Sequence, residues 1–168
     1  MKNIVDEKTI EVIEKGGVLA LLYFDMHGET KEKVEARLVE LANKLSGEKG
    51  VVYSLIKIEK ALELEEKKYS AAAEARILTD SLQNLVRVCV LYGPMGIEVL
   101  KPERINLSLF DTQELLFNVA QMSHEFTTTM LYKVLSPEDK KKLDERLKIR
   151  EEMGKELLKK ARKEKEEK

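Results

Sequence analysis

The run Val18–Met26, VLALLYFDM, constrains the fold more than any other part of the chain. It follows the pair Gly16–Gly17, and its apolar residues are continuous rather than helically spaced, so it reads as a buried central strand. Such a strand needs neighbours on both edges, because an unpaired backbone N–H or C=O held away from water is costly. This run is also the longest apolar stretch, and it is far shorter than the roughly 20 residues that span a bilayer. The partners of this strand must therefore come from the rest of a 168-residue chain.

The flanking segments supply them. Residues 4–15 read as a short amphipathic helix ended by the two glycines, with Ile10 and Ile13 among its apolar positions. Gly28 breaks the strand, and Thr30 is placed to cap a helix over residues 31–46. In that helix Val34, Leu38, Leu41, Ala42 and Leu45 form one stripe. From Val51 the period changes to two, with Ile56, Ile58, Leu62 and Leu64 alternating with charges. A hairpin tip at Glu65–Lys68 would return the chain as Tyr69–Leu78, with Tyr69, Ala71, Ala73, Ala75 and Ile77 on one face. Residues 59–79 are also rich in good helix formers, so a helix competes with the hairpin. Strands are preferred because the alternation starts inside the β-rich VVYSLIKI, and a helix here would deprive Val18–Met26 of partners.

Asp80 or Ser81 caps the next helix, residues 82–92, with Leu82, Leu85, Val86 and Cys89 facing inward. Gly93-Pro94 stops it. Ile97, Val99 and Leu100 make a short strand closed by Pro102. The expected class is α+β: a ferredoxin-like βαββαβ antiparallel sheet, preceded by a helix and followed by a two-helix extension. Residues 1–106 form the α/β domain and 107–168 the helical extension. Ser108 and Asp111 read as a capping box for a long apolar helix, and Ser136-Pro137-Glu138-Asp139 restarts a second, charged one.

Leu85–Ile105 reads LVRVCVLYGPMGIEVLKPERI. Its helix ending in Tyr92-Gly93, then Ile97, Glu98, Val99, Leu100 and Pro102, resembles the C-terminal extension of WYL-domain transcriptional regulators. That resemblance implies a ferredoxin-like module associated with sensing and oligomer contacts. The WYL triplet and a winged-helix start are missing, so the resemblance extends to the fold and not to DNA regulation. The chain as a whole is similar to small uncharacterised archaeal ferredoxin-like proteins, a likeness that implies no activity.

Chemistry-bearing residues are sparse. Asp25, His27 and Glu29 point the same way in an extended chain and are the best candidates for a metal site or general base. His124 lies in the long helix, with Gln121 and Thr128 at helical spacing. With Tyr53, Tyr69 and Tyr92 it is a candidate lining residue for a small-molecule cleft. Cys89 falls on an apolar stripe and reads as packing. No catalytic residue and no cofactor motif stands out; Tyr92–Gly96 is Gly-rich, but it follows a helix, the reverse of a phosphate loop.

Charge bears on partners and habitat. Lys and Arg number 30 against 31 Asp and Glu, a net charge of -1. From Ser136 onward there are 13 basic and 10 acidic residues (+3), leaving 17 against 21 (-4) before it. So small and interleaved an excess does not make a nucleic-acid arm. The abundant Lys and Glu point to a thermophile. One cysteine, a charged N-terminal segment unlike a secretory signal and the lack of a membrane span point to the cytoplasm. The expected partner is a second copy, as homodimer or higher homo-oligomer, with a small-molecule ligand left open. The expected function is a non-enzymatic self-associating structural or regulatory module. The alternatives are a small-molecule-sensing domain and a metal-dependent enzyme using Asp25, His27 and Glu29.

Overall fold

The computed structural model describes residues 2–64 and 68–166, with side chains for residues 6–64, 68–154 and 156. The element order is α1 (Lys2–Glu14), β1 (Val18–Gly28), α2 (Lys31–Ser46), β2 (Val51–Ile58), β3 (Leu62–Glu63), β4 (Tyr69–Thr79), α3 (Leu82–Tyr92), β5 (Gly96–Lys101), α4 (Leu109–Val134) and α5 (Pro137–Glu166). The chain divides into two compact units, residues 1–120 and 121–168, and the division falls inside α4.

β1 is central, as its composition requires. It pairs antiparallel with β4 along its whole length and with β5 on its other edge. The sheet order is β2-β4-β1-β5, with the short β3 also on β4. Every pairing is antiparallel. Residues 69–79 are strand rather than helix, because tertiary packing outweighs propensity there. Ala71, Ala73, Ala75 and Ile77 are buried, in register with Met26, Phe24, Leu22 and Ala20. Three alanines in a row on this face leave room for Val34, Leu38 and Leu45 of α2 to pack down on the sheet. Leu85 and Val88 of α3 join the same cluster, so both helices lie on one face of the sheet.

The expected alternation through Leu62 and Leu64 breaks. β2 ends at Ile58, which is opposite Ala73, whereas Leu62 is opposite Ser70. Four steps on one strand match three on the other, so one residue is extra and the faces swap. Leu62 and Leu64 are exposed in consequence. The irregular residues between are pinned by Glu59 N–H donating to Ala72 O at 2.9 Å and Ala61 N–H donating to Glu35 Oε1 at 3.2 Å. Residues 65–67 of the expected tip lie outside the described residues.

The helix ends follow their caps. Thr30 Oγ1 accepts from Lys33 N–H, and Ser81 Oγ accepts from Asn84 N–H. Gly93 closes α3 in the left-handed conformation, φ 57°, which costs a glycine least. Ser108 Oγ accepts from Asp111 N–H at 3.1 Å while Asp111 Oδ2 accepts from Ser108 N–H at 3.2 Å, a reciprocal box with Asp in the usual Glu position.

The second face of the sheet is half covered. α1 crosses its start, where Thr9 is buried and bonds the Tyr53 hydroxyl at 2.9 Å above Leu19 and Leu78. Beyond α1 this face is polar. Asp25, Glu59, Glu74 and Glu98 are interspersed with Lys57, Arg76 and Lys101, all exposed. Pairs such as Lys57–Glu59 (2.6 Å) and Tyr23 Oη donating to Glu98 (3.0 Å) solvate it.

Candidate functional site

The expected triad is only partly assembled. β1 runs two residues past Met26, so Asp25 and His27 stand on the strand itself, on its solvated face. His27 Nε2 lies 2.9 Å from Asp25 Oδ2. Glu29 lies beyond the strand and faces Lys33 at 3.9 Å, one helical turn into α2. Among the described residues, no group of three His, Cys, Asp or Glu side chains is placed to hold a metal ion.

The four candidate lining residues are distributed. Tyr53 is bonded to Thr9 beside a shallow depression that also includes Leu55, Arg76 and Leu100. Tyr69 borders a different depression, with Glu29, Thr30 and Glu63. Tyr92 donates its hydroxyl to Glu48 Oε2 at 2.7 Å, and Arg87 Nη2 donates to Glu48 Oε1 at 2.6 Å. This cluster ties the α2–β2 turn to α3. The Tyr92 hydrogen bond leads in holding the Glu48 carboxyl below its ordinary range. Burial, followed by the Glu48 bond, pushes the Tyr92 phenol up to about 12. These are the signs of a structural clasp between permanent partners. His124 is exposed on α4, in the second unit. Burial raises the Cys89 thiol, so this cysteine is a poor nucleophile.

Two features stand out instead. The first is a cleft of about 620 Å³ at the end of the sheet where β1 begins and β4 and β5 finish. Gly16, Gly17, Ser81, Leu82, Arg104, Ile105 and Leu115 are among the residues lining it. Its size suits a small ligand. Arg104 makes no hydrogen bond or ion pair with the described residues, whereas Gln83 Nε2 donates to Glu114 Oε2 at 2.9 Å across the rim. The Gly16–Gly17 pair and the Pro102–Leu107 connection were the signals for it, and a reading centred on tyrosines and histidines passes them over.

The second feature is α4. It has no buried residue. Leu115 and Met122 are half-buried and lie on one side. Leu109, Phe110, Leu116 and Phe117 form two pairs seven residues apart, so they share the opposite side. These four are between 64% and 77% exposed. Phe126, Met130 and Val134 are exposed further along. A helix apolar on both sides is normally enclosed by protein. Among the described residues no helix is long and apolar enough to cross a membrane, α4 included.

The architecture is thus an α+β antiparallel sheet layered with helices and continued by two long helices. The chain belongs to the MJ0538 family, whose model matches residues 19–165. The match begins within β1 and ends within α5, so it takes in α4 and nearly all of α5. No curated protein and no solved structure matches the chain.

Proposed function

We propose that this protein is a non-catalytic module that works by self-association, with the outer face of α4 as its main contact surface. The carrying observation is the set Leu109, Phe110, Leu116 and Phe117, all largely exposed on the side of α4 opposite the half-buried Leu115. Large apolar side chains grouped in this way mark an interaction surface. A second copy is the simplest partner, because a face carried by every chain can meet itself or its complement across a two-fold axis. Light scattering on the full chain tests this. Twice the chain mass of 19.3 kDa is the expected result, and a single-chain mass at all concentrations overturns it.

Several further readings accompany this proposal. The order β2-β4-β1-β5, all antiparallel, with α2 and α3 on one face, supports the ferredoxin-like plan once the two-residue β3 is set aside. The likeness of Leu85–Ile105 to the extension of WYL-domain regulators, a module associated with oligomer contacts, points the same way. The interspersed acids of the open sheet face argue against a polyanion platform, which needs excess positive charge. A single half-buried cysteine fits a reducing cytoplasm. The high Lys and Glu content fits a thermophile.

A second reading rests on the cleft. Its volume favours a small polar ligand acting as a regulator of the module, with Arg104, which has no bonding partner among the described residues, as the donor to an acceptor group between the lining acids Glu14, Asp80, Asp111 and Glu114. Thermal-shift screening with carboxylates, phosphates and nucleotides tests it. Stabilisation abolished by Arg104→Ala supports the reading, and an unchanged melting temperature across all classes refutes it.

A further inference from the structure

The helix layer is incomplete over β5. Ile97 and Val99 are in register with Leu22 and Ala20, so their side chains point to the core face. They are nonetheless 49% and 47% exposed, whereas Leu22 and Ala20 are fully buried. α3 forms one wall of this gap. Its Arg87 reaches Glu48 in the α2–β2 turn, which fixes that flank toward the β2 side of the sheet. The flank away from Arg87 carries Leu82 and Val86, and Val90, one turn on from Val86, stands at its outer rim. Val86 is half-buried and Val90 44% exposed. A groove results between Val86 and Val90 on α3 and Ile97 and Val99 on β5. Its floor and one wall are apolar, and nothing in the described chain fills it.

The same chain carries an unfilled groove and an unburied apolar helix face, and the two match in character. We propose that the Leu109–Phe117 face of α4 from one copy lies in the Val86–Val90–Ile97–Val99 groove of a second copy, with the exchange repeated across a two-fold axis. This rests on the self-association reading and specifies its geometry. The groove begins beside Gln83, which already bonds Glu114 of its own α4. A third helix in the layer is therefore continuous with an existing α3–α4 contact. The area also suffices. The four helix residues are 64–77% exposed, Val90, Ile97 and Val99 44–49%, and Val86 less; at roughly 150–200 Å² for each whole side chain, their complete burial gives on the order of 800 Å² per copy. A standard stable interface buries about 800 Å² per partner. The arrangement is reciprocal rather than face-to-face: α4 meets β5, and β5 meets α4.

Mixed cross-linking tests it. In a Cys89→Ser background, which removes the only native cysteine, one chain carries Val99→Cys and a differently tagged chain Leu116→Cys. Both positions are exposed, so both chains fold. The two are mixed and treated with a short bismaleimide. The expected product is the Val99→Cys to Leu116→Cys heterodimer, at least about tenfold above either homodimer. If Leu116→Cys links chiefly to itself while the protein still has the mass of a dimer, α4 packs on α4. The groove assignment then fails and self-association stands. A dominant Val99→Cys homodimer, meaning edge-to-edge pairing of β5, or a dimer with no cross-link between the two positions, overturns it equally. A wild-type chain of single mass overturns both readings.

Discussion

Phe117→Ala isolates the energetic role of α4. The Phe117 side chain is 68% exposed in the single chain, so removing it leaves no cavity. Unfolding stability should therefore change by less than about 0.5 kcal/mol. Association is another matter. Full burial of a phenylalanine is worth about 1.5–3 kcal/mol, and roughly two-thirds of that surface is still available, giving about 1–2 kcal/mol per copy. A two-fold dimer contains the residue twice, so the loss is about 2–4 kcal/mol. At 1.4 kcal/mol per decade, the dissociation constant rises roughly 30- to 700-fold. Sedimentation velocity over a dilution series reads this directly, and urea unfolding of the same samples at low concentration supplies the control. A dissociation constant within about threefold of wild type would refute the reasoning, as would a loss of monomer stability equal to the change in association.

Other predictions concern the body of the fold. At Gly17 an added Cβ would meet Val12 Cγ1, Thr79 O at 2.6 Å and Val12 O at 2.8 Å. Two of these are fixed backbone atoms, so Gly17→Ala should lower the urea midpoint by an amount worth at least about 2 kcal/mol. Gly16 has φ 95° but open space around it, so Gly16→Ala should cost only about 1 kcal/mol; equal costs would contradict this account of the turn. Because the Glu48 carboxyl is held below its ordinary range, its contribution is present above the unfolded-state pKa and fades as pH falls through the folded value. Glu48→Gln should flatten that acid limb in a stability-versus-pH series, and an unchanged slope would count against the clasp. Tyr92, raised to about 12, has the opposite sign. Its contribution is intact below pH about 10 and is lost as pH rises toward 12, so Tyr92→Phe should remove that alkaline decline.

Local rules made much of this legible in advance. Thr30, Ser81 and Ser108 cap the helices their positions imply, and continuous apolarity put Val18–Met26 at the centre of the sheet. The alanines of β4 were recognisable only through their period of two, since their propensity points to helix. The break at Glu59–Ala61 was not readable. It depends on a one-residue register difference against β4 and on Glu35 reaching across from α2, both of which are long-range facts. The site was less legible than the fold. Titratable and aromatic residues point to Tyr92, whose hydroxyl the fold gives to Glu48, and to Asp25 and His27, which lie on the solvated sheet face. Arg104 and the glycines of the cleft give no such signal, because a cavity belongs to converging element ends and to no local pattern. The apolarity of α4 is plain in the sequence, but not how it divides between the sides of the helix. Apolar residues on both sides became evident only when the half-buried Leu115 and Met122 were set against the exposed Leu116 and Phe117.

Hydrogen exchange across α4, followed as a function of protein concentration, tests the self-association account most directly. Peptides covering residues 109–120 should exchange more slowly at high concentration than at low, with β5 and the end of α3 changing in step, while β4 stays constant. Protection of residues 109–120 that does not depend on concentration would contradict the account.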